Sequence, residues 1–186
     1  MRHVIEENFK PDACYAGLDR IQFAGLYRRG YRLALLDLDN TLSAHGSYEA
    51  DDYARQCGER IHNAGMTCWI ITNAARKRGE AYARSLGIPV IAMAGKPNRR
   101  GVRQACEATG FTEEQTFLAG DQLLTDIWCA RRSGCLAILV EPRFKEEAWN
   151  IRMKRWLEKP LFRRFHLCRV SVGNGAAAEK WREIDA

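Results

Sequence analysis

The chain has 186 residues, of which 46% are hydrophobic and 28% charged. That make-up suits one globular domain and excludes wholesale disorder. No apolar run approaches the ~20 residues of a bilayer-spanning helix, and residues 1–12 lack the apolar core of a secretory leader, so a cytoplasmic protein is expected. The net charge of +6, with a pI near 9.0, favours anionic partners (phosphates, nucleic acid or acidic lipid) without choosing among them.

In chain order, residues 1–31 read as a loop-rich lead-in with one short helix near 19–29. Residues 32–145 then alternate strands and helices. Leu33-Ala34-Leu35-Leu36 is an apolar run of the length and character of a strand buried on both faces. Residues 51–64 read as a helix closed by Gly65, and 67–71 as a second buried strand. A helix over 76–86 stops at Gly87. Residues 88–92 form a third strand, with Pro89 near its start. A helix over 98–109 stops at Gly110, a fourth strand covers 116–119, a helix over 123–133 stops at Gly134, and a fifth strand covers 136–140. Such alternation implies right-handed crossovers: an α/β fold of three layers, a Rossmann-like parallel sheet flanked by helices.

Residues 146–186 form a basic tail. From residue 141 to residue 169 there are nine Lys or Arg against four Asp or Glu. Trp149, Met153, Trp156 and Leu157 recur at helical spacing among the basic residues, and Pro160 should end that helix. Its apolar face is expected to pack on the domain; the competing reading lays it on an anionic membrane, at the inner face. Nucleic acid is set aside because no binding module is recognisable. The seven cysteines, Cys14, Cys57, Cys68, Cys106, Cys129, Cys135 and Cys168, are odd in number and none are in C-x-x-C spacing. Neither a disulfide framework nor a zinc site is expected.

Ligands of a parallel sheet bind beyond the carboxyl ends of its strands, and the chemically interesting residues fall there. Asp37 and Asp39 follow the first strand, Thr72 and Asn73 the second. Lys96 lies in the loop after the third, and Gly120 and Asp121 follow the fourth, with Asp126 five residues on. Singly, each has a bland reading: Thr72-Asn73 or Asp121 as a helix cap, Lys96 as a solvated loop lysine. Together they crowd carboxylates, which repel unless a cation intervenes, and Mg2+ is the hard ion used beside phosphate. Lys96 and the Thr72 hydroxyl offer donors to a phosphoryl group. Asp37 is placed to attack phosphorus, and Asp39 to protonate the leaving oxygen and then activate water.

The runs Asp37-Leu38-Asp39-Asn40-Thr41-Leu42, Ile71-Thr72-Asn73-Ala74, Lys96-Pro97 and Gly120-Asp121-Gln122-Leu123-Leu124-Thr125-Asp126 resemble, in order and spacing, the four motifs of the haloacid dehalogenase (HAD) superfamily. The closer resemblance, over residues 10–145, is to its subfamily IIIA phosphatases, which include the phosphatidylglycerophosphate phosphatases. That resemblance implies Asp37 as nucleophile and metal ligand, and Asp39 as acid/base and metal ligand through its backbone carbonyl. It implies Thr72, Asn73 and Lys96 around the phosphoryl group, Asp121 completing the Mg2+ shell, and Asp126 in support.

Only 32 residues separate Asp39 from Thr72 and 23 separate Thr72 from Lys96. The connecting helices use up both gaps, so no cap domain is expected. An uncapped site suits a bulky phosphate monoester such as a lipid headgroup. A soluble sugar phosphate or nucleotide held at a homo-oligomer interface is the alternative. A phospho-receiver switch combines the same residue types, but its acceptor aspartate usually follows the third strand, where Met93-Ala94-Gly95 offers no acid.

Overall fold

The computed structural model of the chain describes residues 2–144, 149–165 and 167. Six parallel strands form one sheet: β1 (Ala13–Tyr15), β2 (Leu33–Leu36), β3 (Thr67–Ile71), β4 (Val90–Ile91), β5 (Thr116–Gly120) and β6 (Leu136–Val140), in the spatial order β1-β6-β5-β2-β3-β4. Around it lie α1 (Arg2–Phe9), α2 (Phe23–Arg28), α3 (Asp52–Asn63), α4 (Arg76–Leu86), α5 (Arg100–Thr109), α6 (Trp128–Ser133) and α7 (Trp149–Arg164).

β2 lies in the middle of the sheet, paired with β3 on one side and β5 on the other. All four of its residues are buried because helices cover both faces. Alternate side chains divide between two cores. Ala34 and Leu36 join Ile70, Phe117 and Tyr82 on one side, and Leu33 and Leu35 join Ile71, Leu118 and Val102 on the other. The helices stop where the sequence says they should: Gly65, Gly87, Gly110 and Gly134 all take positive φ, between 74° and 84°. Asp51 caps α3, its side chain accepting from Ala54 N at 2.9 Å.

The structure departs from the sequence reading at four places. The loop-rich lead-in carries a strand as well as its short helix: β1 adds a sixth strand on the β6 edge, Ala13 opposite Ile138. Three residues are too short for a period to show; the strand is held by its ladder to β6, with Asp12 beside it adding two side-chain bonds. That side chain accepts from Ala137 N at 2.8 Å and from Arg131 at 2.5 Å. The helix expected over 123–133 opens as a π-helical turn, Leu123–Ile127, before the α-helical α6. Thirdly, Pro160 does not end α7, which runs on to Arg164. Leu161, Phe162 and Leu167 pack on the core beyond it, and Phe165 N still reaches Leu161 O at 2.9 Å. Tertiary packing thus overrides a local helix breaker.

The face of α7 turned inward is also not the one expected. Glu158 is fully buried and takes Leu124 N at 3.0 Å, with Leu161 and Phe162 beside it. Met153, Trp156 and Leu157 are 48%, 66% and 50% exposed. Trp149's side chain and the remainder of the tail lie outside the described residues. Among the described residues, no helix is long and apolar enough to cross a membrane.

Candidate active site

Asp37 leaves the end of β2 with its backbone still in the sheet, N–H to Ala119 O at 2.9 Å. The chain then turns back sharply. Asn40 adopts φ 61°, Leu42 and Ser43 both donate to Leu38 O, and Asn40 N reaches Ser43 O at 2.7 Å. Asparagine tolerates that left-handed conformation better than most side chains do. The loop brings Asp37 and Asp39 to the same cleft, of about 240 Å³.

Thr72 ends β3. Its hydroxyl accepts from Ala74 N at 3.0 Å, which leaves its own proton free to donate, and it lines the cleft. The Asn73 carboxamide clamps the loop that carries Lys96: Nδ2 donates to Lys96 O at 3.0 Å, and Oδ1 accepts from Lys96 N at 2.8 Å. Both ends of that side chain are used on backbone, so Asn73 positions the lysine.

Lys96 is buried, and its Nζ donates to Asp37 Oδ1 at 2.5 Å and Asp126 Oδ1 at 2.6 Å. Asp126 also takes Gln122 N at 3.1 Å. The π-helical turn carries Asp126 back under the end of β5. Burial alone would discharge Lys96, but Asp126 and Asp37 outweigh it and hold the ammonium well above its ordinary range. Asp37 is raised as well: burial raises its pKa most, Asp126 and Asp121 raise it further, and Lys96 only partly opposes them.

Asp37, Asp121 and Asp126 are all buried, and each offers a carboxylate oxygen within 4.8 Å of the others'. One ammonium among three carboxylates leaves an excess of negative charge. An all-oxygen, net-negative pocket of this kind fits a hard divalent cation such as Mg2+. The side-chain cluster includes Asp126, expected in support, and not the carboxylate of Asp39. The expected ligation by Asp39 runs through its backbone and needs no side chain there.

The Asp39 carboxylate turns to the other side of the cleft. One oxygen is bonded by Arg78 Nη2, and the other lies 3.2 Å from His45 Nδ1. Arg78, His45 and the buried Gln122 line the cleft without having been expected from the sequence. Arg78 stands in the run Arg76-Lys77-Arg78, where nothing in the residue type separates an inward arginine from its solvated neighbours. The available signal was its position, in the first turn of a helix that starts beyond a strand's carboxyl end.

A family model described as HAD-hydrolase-like matches residues 93–152. The chain is 28% identical over 156 residues to the Bacillus subtilis "probable phosphatase YqeG", covering 84% of this chain and 91% of that one. It is also 28% identical over 165 residues to an Arabidopsis thaliana phosphatidylglycerophosphate phosphatase 1, covering 83% of this chain but only 47% of that protein. A solved structure from Xanthomonas campestris, of a protein without stated function, superposes with a TM-score of 0.50 at 23% identity, over 66% of this chain and 70% of that one. That likeness is one of fold.

Proposed function

We propose that this chain, a HAD-like phosphatase by its sequence relatives, hydrolyses a phosphate monoester through an aspartyl-phosphate on Asp37. The observation that carries the reading is the Lys96 bridge: a buried ammonium 2.5 Å from Asp37 Oδ1 and 2.6 Å from Asp126, at the mouth of a parallel sheet. It fixes one carboxylate oxygen and leaves the other to attack.

In the first step the second oxygen of Asp37 bonds to phosphorus and the bond to the leaving oxygen breaks. Asp39, protonated, gives its proton to that oxygen. In the second, Asp39 takes a proton from water, the water oxygen bonds to phosphorus, and Asp37 is released with inorganic phosphate. Thr72 donates a hydrogen bond to the phosphoryl oxygens, and Lys96 balances their charge. Asp37, Asp121 and the Asp39 backbone carbonyl would hold Mg2+, with Asp126 beside them; bound there, it would neutralise charge on the phosphoryl group.

α3 and α4 fill the stretches where a cap domain would be inserted. This supports a substrate larger than the cleft, and the lipid phosphatase relative favours a phospholipid headgroup such as phosphatidylglycerophosphate, reached by a protein of the cytoplasm. A panel of phosphate esters, including that lipid in mixed micelles and soluble sugar phosphates and nucleotides, tests the reading with Mg2+ and with EDTA. Turnover should require Mg2+ and be fastest on the lipid. Faster turnover of a soluble ester would displace the lipid, and a stable phosphorylated protein without turnover would point to a switch.

A further inference from the structure

Arg78 is the second cation of this cleft. It is 9% exposed, and its Nη1 is buried with no hydrogen-bond partner, while Nη2 holds the outer carboxylate, Asp39. A desolvated guanidinium with an idle donor is costly unless something fills it. Lys96 is different in this respect, because two buried carboxylates already engage it.

The position of Arg78 says what would fill it. Asp37 attacks one side of phosphorus, and Asp39 serves the leaving oxygen. A group bonded to Asp39 therefore lies beside the leaving alcohol, away from the Lys96 end. The planar donor fork of arginine matches a two-oxygen anion, carboxylate or phosphodiester, better than it matches a hydroxyl. His45 Nδ1, on the other oxygen of Asp39, adds a polar group at the same flank.

We infer that Arg78 is a specificity residue that binds a second anionic group carried by the leaving alcohol, so that the preferred substrates are phosphate monoesters of alcohols that also carry a carboxylate or a phosphodiester. The inference rests on the phosphatase reading above. It selects within that class: neutral alcohols and phenols would leave Nη1 unpaired, whereas a phospholipid headgroup with its phosphodiester, or a hydroxy acid, would pair it.

Steady-state kinetics with Mg2+ on three soluble esters test it. Glycerol 3-phosphate has a neutral leaving group, 3-phosphoglycerate replaces its terminal hydroxymethyl by a carboxylate, and glycerophosphoglycerol phosphate carries a phosphodiester. The wild-type protein should favour one or both anionic substrates in kcat/KM by roughly tenfold or more. Which of the two it favours tells carboxylate from phosphodiester. Arg78→Gln should remove the preference, and Arg78→Lys should keep part of it. Equal wild-type turnover of all three esters overturns the inference without touching the phosphatase reading. So does an equal loss on all three in Arg78→Gln, which would make Arg78 only a positioning residue for Asp39. No turnover of any ester, aryl phosphate included, removes the phosphatase reading and this inference with it.

Discussion

Gly120 and Asp126 are packed so closely that no side chain fits between them. A Cβ on Gly120 would lie 2.3 Å from Asp126 Cγ and 2.5 Å from its Oδ2. The glycine at the end of β5 is therefore there for the carboxylate, which in turn holds Lys96.

Gly120→Ala should push Asp126 away from Lys96 and take the lysine out of register with Asp37. Overpacking of this kind costs on the order of 1–3 kcal/mol. A catalytic group displaced by about 1 Å loses roughly a hundredfold in rate. Thermal unfolding and kcat measured on the same preparation should show both effects. A variant with full activity would mean that Asp126 is not needed where it stands.

Lys96→Met should leave Asp37, Asp121 and Asp126 buried without their ammonium. Breaking one partner of a buried ion pair costs about 3–5 kcal/mol. Mg2+ should recover more stability in this variant than in the wild-type protein, while activity stays lost. Unfolding curves with Mg2+ and with EDTA read this directly, and an equal shift in both proteins would remove the carboxylate cluster as the ion's site.

Asp37→Asn should abolish turnover without unfolding the protein, since the amide is nearly isosteric and reduces the local excess of negative charge. Circular dichroism and aryl phosphate hydrolysis give the two readouts. Asp39→Asn should slow leaving-group departure, with the larger loss on esters of poorly acidic alcohols.

Asp51 links folding to pH. Its burial would raise the carboxyl, but the Arg143 bond at 2.9 Å and the Ala54 N–H outweigh that and hold it below its ordinary value. Its stabilising effect is then fully present above the unfolded-state value of 3.8 and is lost as pH falls through the lower folded value. Asp51→Ala should cost about 1 kcal/mol at neutral pH through the lost helix cap. The difference between variant and wild type should shrink below about pH 4, and a constant difference across acid pH would exclude the linkage.

Buried thiols should be inert in the folded protein. Burial pushes Cys14 up to about 12, and Cys57 and Cys129 up to about 11. Cys135 is raised further still. In a Cys168→Ser background, a thiol reagent at pH 8 should label slowly until denaturant is added. Rapid labelling of any of these cysteines in the native state would contradict the packing around it.

Local chemistry was enough for much of this protein. The buried apolar runs, the glycine stops of the helices and the polar residues at four strand ends each follow from residue type and spacing, because strands, caps and parallel crossovers obey short-range rules. The carboxylates and Lys96 could be placed at one cleft on that basis alone. What short-range rules could not decide was direction and partnership. Asn73 clamps the Lys96 backbone, Arg78 alone of three basic neighbours turns inward to Asp39, and Glu158 rather than Trp156 faces the core. β1 pairs with β6, and Asp12 beside it reaches Ala137. Each of these depends on pairs far apart in the chain, whose energies exist only once the sheet has brought them together.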